Sequence, residues 1–76
     1  MTKTTIKLSA IEDVKNFSAS VMLCEYDVDL ISGRYAIDAK SIMGIFSLDL
    51  SKPLTLEAHS DNTDKFFAEI KQFIVD

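Results

Sequence analysis

The sequence predicts an α+β fold with two layers, a β-sheet on one side and helices on the other. Some segments alternate apolar and polar residues, which is typical of strands with one buried face. Other segments repeat apolar residues every three or four positions, as amphipathic helices do. The segments follow one another in the order β-α-β-β-α-β-α. Three amphipathic helices can cover one face of a four-stranded sheet, which leads to the two-layer prediction.

Length and composition indicate a small globular protein. Residues 1–76 are predicted to form a single domain, and a chain of this length buries only about 60% of its unfolded surface. Neither a signal-peptide pattern nor an apolar stretch of membrane-spanning length is present, so we expect a cytoplasmic protein without a membrane partner. The net charge is −4 with scattered basic residues, which argues against a nucleic-acid partner.

The counts of cysteine and histidine argue against disulfide and zinc chemistry. Cys24 is the only cysteine, so no internal disulfide can form, and His59 is the only histidine. One cysteine and one histidine do not make a structural zinc site, and we predict neither a metal nor a cofactor. Cys24 is expected to be a small buried apolar residue near a helix end. His59 is expected at the surface, on the open face of the sheet.

The first strand and the first helix are predicted from residues 4–24. "TTIKLS" alternates, which predicts a strand with Ile6 and Leu8 on its buried face. Ser9 and Glu12 follow with the S-x-x-E spacing of a capping box. A helix is therefore predicted over Ala10–Cys24, with these residues on its apolar stripe: Ile11, Val14, Phe17, Val21 and Cys24.

Two further strands and the last helix follow from alternation and turn residues. "YDVDLISGRYAID" predicts a hairpin that turns at Ser32-Gly33, because glycine supplies the positive φ of a tight turn. The fourth strand begins at Pro53, where a missing N–H does least harm. Asn62 or Thr63 is predicted to cap the last helix, and its apolar stripe comprises Phe66, Phe67, Ile70, Phe73 and Ile74. The open face of the sheet is predicted to carry Thr5, Lys7, Asp27, Asp29, Arg34, Asp38, Thr55, Glu57 and His59.

The segment "KSIMGIFSLDLSKP", residues 40–53, is too apolar for one short helix. Ser41 is a favoured helix cap and is predicted to begin this helix. Ile45, Phe46 and Leu48 are expected in the core. Two helical turns cannot bury all the remaining apolar side chains, so at least one of the pair Ile42 and Met43 is predicted to be exposed. Gly44 would allow another surface to approach closely.

Residues 39–50, "AKSIMGIFSLDL", resemble the serine-site segment of HPr, the phosphocarrier family of the bacterial sugar phosphotransferase system. That family has the same order of elements, and the resemblance implies a sheet with strand order 1-4-2-3. It also implies that Ser41 accepts a phosphate from a dedicated ATP-dependent kinase. The resemblance implies that Ile42 and Met43 bind a partner, and we predict that Lys40, Gly44 and Phe46 beside them bind it as well. The implied partners are that kinase or a transcriptional regulator of the sugar phosphotransferase system.

The chain departs from this family at the start of the first helix. HPr proteins carry an active-site histidine there, whereas "SAIEDVKNF" contains no histidine, arginine or proline. Glu12 and Asp13 would also repel a phosphate at that helix end. Histidine phosphotransfer is therefore not expected.

A regulatory module that binds protein partners is the predicted function, and it has two alternatives. A small enzyme, such as an acyl phosphatase, needs an arginine in a phosphate-cradling loop. Arg34 is the only arginine and lies in the hairpin without such a loop, so we predict no enzyme activity and no catalytic residue. The remaining alternative is a structural or homo-oligomerising domain whose apolar patch meets a second copy of itself, with no phosphorylation.

Overall fold

The computed structural model describes residues 1–75 and contains four strands and three helices in the predicted order. The strands are β1 (Thr2–Ile6), β2 (Val28–Ser32), β3 (Tyr35–Asp38) and β4 (Leu54–Ala58). The helices are α1 (Ile11–Met22), α2 (Ile42–Phe46) and α3 (Asp64–Glu69), and a 3₁₀ turn at Lys71–Phe73 follows α3.

The four strands form one antiparallel sheet in the order β1-β4-β2-β3, which confirms the predicted topology. Side chains alternate between its two faces, as the pleat requires. One row across the inner face consists of Thr4, Leu56, Leu30 and Ile37, which are partners in consecutive strands. None of the nine residues predicted for the open face is buried.

The core lies between the inner face of the sheet and the three helices. The sheet contributes Ile6, Leu30, Leu54 and Leu56, all without solvent exposure. The helices and the 3₁₀ turn contribute Val14, Phe17, Val21, Ile45, Phe66 and Phe73, and Ile70 between α3 and the 3₁₀ turn joins them. The rings of Phe17 and Phe73 meet edge to face, with centroids 6.3 Å apart, and so join α1 to the end of the chain.

The predicted capping box at the start of α1 is wrong by one residue. The helix begins at Ile11 after Ala10, and the Asp13 carboxylate accepts hydrogen bonds from the amides of Ser9 and Ala10 at 3.0 and 3.2 Å. Asp13, and not Glu12, is therefore the third helical residue, from which a side chain reaches back. Ile11, at the first position of the helix, is 65% exposed and does not join the buried stripe.

The other end of α1 also differs from the prediction. The helix ends at Met22, two residues before the predicted boundary at Cys24. Cys24 is half-buried in the following loop, with its sulfur 3.8 Å from the carbonyl oxygen of Ser20.

The hairpin turn lies one residue later than predicted. Ser32 still pairs with Tyr35, so the loop consists of Gly33 and Arg34. Gly33 has a φ of 59°, which a residue with a Cβ rarely adopts. Arg34, which was predicted on the open sheet face, therefore belongs to the turn.

The last helix, α3, is shorter than the apolar stripe predicted for it, which extends to Ile74. Thr63 precedes it without a side-chain capping bond, and α3 ends at Glu69. Beyond the 3₁₀ turn, Ile74 is extended and pairs with Ile6 of β1. The Lys7 amide donates to Phe73 O at 2.8 Å, and the Val75 amide donates to Thr5 O at 3.0 Å. The chain end thus satisfies backbone groups along the outer edge of β1.

Candidate functional site

Ser41 begins α2 as predicted. Its backbone is extended, with φ −94° and ψ 100°, and its Oγ accepts a hydrogen bond from the Gly44 amide at 3.2 Å. Its carbonyl oxygen accepts the first helical bond, from the Ile45 amide at 3.0 Å. The Ser41 hydroxyl therefore lies at the exposed amino-terminal end of a helix, and the cap prediction is confirmed.

The turn before α2 positions Ser41 relative to the sheet. Asp38 ends β3, and its carboxylate accepts a hydrogen bond from the Lys40 amide at 2.9 Å. The carbonyl oxygen of Asp38 accepts a second bond, from the Ser41 amide at 2.9 Å. Ala39 is completely buried, and its amide donates to Val28 O at 2.8 Å. The hydroxyl is thus attached to the sheet by a short, hydrogen-bonded connection.

Only part of α2 is buried. Ile45 has no exposure and the following Leu48 is 9% exposed, so both lie in the core as predicted. Phe46 was predicted in the core and is 40% exposed, which corrects that prediction. On a helix of five residues the side facing the core has room for Ile45 alone, so Phe46 is left at the surface.

Three apolar side chains of α2 face solvent, which we call the α2 surface. Met43 is 76% exposed, Phe46 40% and Ile42 37%. Ile42 and Phe46 are four residues apart, and Met43 and Phe46 are three apart, so they are neighbours on the helix. The predicted exposure holds for both Ile42 and Met43. Together with Phe46 they form a continuous apolar patch beside Ser41.

Gly44 lies on the inner side of this patch. A Cβ at this position would be 3.2 Å from Ser41 Oγ and 3.4 Å from Ile37 Cδ1 of β3. The close approach that Gly44 permits is therefore made by the chain's own β3. Contact of a partner with the exposed part of Gly44 stays a prediction.

The charges around Ser41 are few. No acidic residue lies in the first turn of α2, and Lys40 directly precedes the cap. Among residues 1–75, Lys40 is in no ion pair. The first amides of a helix, those of Ile42 and Met43 here, have no acceptor within the helix. This end of α2 thus combines a hydroxyl, backbone donors and one cation.

The amino-terminal end of α1 is different. Glu12 and Asp13 both lie in its first turn, and the Asp13 carboxylate already accepts two amide hydrogen bonds.

His59 lies far from α1 in sequence, directly after β4. Its Nε2 is 2.9 Å from Asp29 Oδ2, and its side chain is 44% exposed. The structure thus places His59 on the open sheet face, as predicted. Its contact with Asp29 depends on strand pairing and has no signal in the local sequence.

An open depression of about 430 Å³ lies away from Ser41, between the end of α1 and α3. Its lining includes Leu23, Cys24, Tyr26, Lys65 and Phe66. Burial raises the pKa of Tyr26 to about 12, helped by a hydrogen bond and an electrostatic interaction with Cys24. None of the predicted functional residues lines this depression.

In the described part of the chain, no helix has the length and apolarity needed to cross a membrane.

Comparison with known proteins identifies the fold. No family model and no curated protein matches this sequence. HPr-C-His from Thermoanaerobacter tengcongensis matches with a TM-score of 0.78 over 95% of this chain and 89% of that chain. This chain has the HPr fold. Sequence identity to that HPr is 22%. The histidine-containing phosphocarrier protein of a mycoplasma matches at 18% identity with a TM-score of 0.69, over 93% of this chain and 86% of that chain. The HPr-like fold that the resemblance of residues 39–50 implied is therefore confirmed.

Proposed function

We propose that this HPr-like protein is a cytoplasmic regulatory module of the sugar phosphotransferase system, which binds protein partners through the α2 surface. The exposure of Met43, Phe46 and Ile42 beside Ser41 is the observation that supports this proposal. Methionine and aromatic side chains are well suited to protein contacts, since methionine adapts its shape and aromatic rings bury large areas. The partners are a kinase of the HPr type or a transcriptional regulator.

In this proposal, Ser41 is the switch. The kinase transfers the γ-phosphoryl group of ATP to Ser41 Oγ, which forms the phosphoester bond, and ADP and a proton are released. The phosphate would find backbone donors in the first turn of α2 and the adjacent cation of Lys40. It would also add about two negative charges next to the α2 surface and so change which partners bind there.

The proposed module neither carries phosphate on histidine nor acts as an enzyme. The first turn of α1 holds two carboxylates, and Asp13 already occupies the amides of Ser9 and Ala10. A phosphohistidine at this end would meet repulsion from both carboxylates. His59, the single histidine, is held by Asp29 on a different face of the molecule.

Incubation with an HPr kinase of a Gram-positive bacterium and ATP tests the switch, with intact mass and peptide mapping as the measurement. We expect one phosphate per chain on Ser41 and none on a Ser41→Ala chain. A Ser9→Ala chain is the control, because Ser9 is an exposed serine outside α2 and its bond to Asp13 uses the backbone amide, which alanine keeps. It should be phosphorylated as the unchanged protein is. An unmodified protein, or equal uptake by Ser41→Ala, would contradict the phosphorylation.

Substitutions in the α2 surface test partner binding independently. Met43→Asp should weaken binding of the kinase or the regulator by about tenfold or more, because it places a charge in the apolar contact. Leu23→Asp is the matched control, since Leu23 is 74% exposed at the end of α1, outside the α2 surface. Titration calorimetry measures both. Equal affinities for the two variants would exclude the α2 surface as the contact.

Light scattering at several protein concentrations tests homo-oligomerisation, the alternative role of the α2 surface. Our proposal predicts a monomer mass throughout. A mass that rises with concentration and returns to the monomer value in Met43→Asp would instead assign this surface to a second copy of the chain.

A further inference from the structure

The open face of the sheet carries an unusual row of charges. Lys3, Glu57, Asp29 and Asp38 are partners in consecutive strands β1, β4, β2 and β3. Three carboxylates therefore stand side by side, and like charges directly opposite each other destabilise a sheet. The Asp38 carboxylate is turned toward the Lys40 amide. Those of Asp29 and Glu57 remain as neighbours in the middle of the face.

His59 completes a compact group with these two carboxylates. Its Nε2 is 2.9 Å from Asp29 Oδ2. One ligand atom from each of Asp29, Glu57 and His59 can be chosen so that all three lie within 4.8 Å of one another. Two of the residues are on β4 and its extension, and the third is on the paired strand β2. Hydrogen-bonded strands therefore hold all three Cα atoms in place.

We propose that Asp29, Glu57 and His59 form a binding site for a divalent transition-metal ion of the zinc type. An imidazole with two carboxylates is a ligand set for such ions, whereas Mg²⁺ and Ca²⁺ favour sites made of oxygen alone. Tetrahedral coordination of Zn²⁺ places neighbouring ligand atoms about 3.3 Å apart. The ligand atoms lie within 4.8 Å of one another, so changes of side-chain rotamer that bring them closer by at most about 1.5 Å reach that arrangement. Water would fill the fourth position, since the face is open to solvent.

Lys3 competes with the metal in this site. Its Nζ is 3.2 Å from Glu57 Oε2, and its side chain is 58% exposed. The ammonium partly neutralises the carboxylates when no metal is bound, and its exposure allows it to move away when a metal enters. Removal of this charge should therefore strengthen metal binding, which an ordinary loss of a surface ion pair would not do.

Titration of Zn²⁺ into a Cys24→Ser chain tests the site by calorimetry. This background removes the only thiol, which is itself a zinc ligand. We expect one Zn²⁺ per chain, and affinity lower by about tenfold or more in His59→Gln and in Glu57→Gln, as for the loss of supporting groups in metal sites. Lys3→Gln should bind more tightly. Asp64→Asn, which removes a carboxylate from the first turn of α3, should bind as the background chain does.

Thermal unfolding supplies a second readout. Zn²⁺ should raise the unfolding midpoint of the background chain, because a ligand that binds only the folded state stabilises it, and His59→Gln should lose this shift. Circular dichroism without metal checks that each variant is folded. No zinc binding by the Cys24→Ser chain, equal affinities of His59→Gln and Asp64→Asn, or Ca²⁺ binding as tight as that of Zn²⁺ would overturn the proposal.

Discussion

The carboxylate of Asp13 holds the amino-terminal end of α1 through two backbone hydrogen bonds. Ala10, which precedes the helix, has no side chain that could accept a bond, so Asp13 supplies the side-chain acceptor at this end. Its negative charge also lies near the positive end of the helix dipole. A residue of this kind contributes to stability although it is not part of the core.

Replacement of Asp13 by alanine should lower the free energy of unfolding by about 1 kcal/mol, which is the usual cost of a lost helix cap. Glu12→Ala removes an equal charge from the same turn and should cost clearly less, because no capping bond of Glu12 exists in the described chain. Urea denaturation measures both variants. An equal loss in the two would mean that the charge alone, and not the capping bonds of Asp13, stabilises this end.

The α2 helix illustrates how an element can be stable and yet largely exposed. A helix of five residues does not persist in isolation. It is held by the Ser41 cap, by Ser47 Oγ, which donates to Gly44 O at 2.6 Å, and by the burial of Ile45. Its other apolar side chains are not needed for packing. They are therefore available for contact with a partner.

An alanine substitution on the buried side of α2 should lower the free energy of unfolding much more than one on its exposed side. Ile45→Ala should lower the free energy of unfolding by about 2–5 kcal/mol through lost burial and a cavity. Met43→Ala should change it by less than about 0.5 kcal/mol, since Met43 is 76% exposed. Urea or thermal unfolding of the two variants provides the comparison. A large loss in Met43→Ala would show that Met43 is part of the core.

The last residues of the described chain pack against both layers of the protein. Phe73 is 5% exposed and packs on Phe17 of α1, and its carbonyl oxygen accepts the Lys7 amide next to β1. The end of the chain thus connects the first strand with the first helix. A protein of this size has a total stability of only about 4–11 kcal/mol, so one such contact is a large share of it.

Phe73→Ala should lower the free energy of unfolding by about 3–5 kcal/mol and bring the protein close to its unfolding limit. Lys71→Ala, in the same 3₁₀ turn but exposed, is the matched control and should cost little. Urea denaturation followed by circular dichroism distinguishes them. A small effect of Phe73→Ala would mean that the chain end is not a structural part of the fold.

The spacing of apolar residues predicted the order of elements, the faces of the strands and the exposure of Ile42 and Met43. These features depend on the pattern of apolar and polar residues that are close together in the chain. The absence of histidine from residues 9–17 is also visible in the sequence alone. The one-residue errors at the capping box and the hairpin turn have a different origin. Asp13 and Glu12 are both acceptable in a first turn, and local sequence signals locate the end of an element only to within one or two residues.

By itself, the sequence determined the layers of this protein and the apolar surface beside Ser41, since both follow from local patterns of burial. Tertiary structure alone decided that Phe46 is exposed, that Ile74 pairs with Ile6, and that Asp29 and Glu57 stand beside His59. Counting cysteine and histidine could not reveal that last group. Strand register is set by hydrogen bonds between residues distant in the chain, and those bonds place side chains together without a trace in the local sequence.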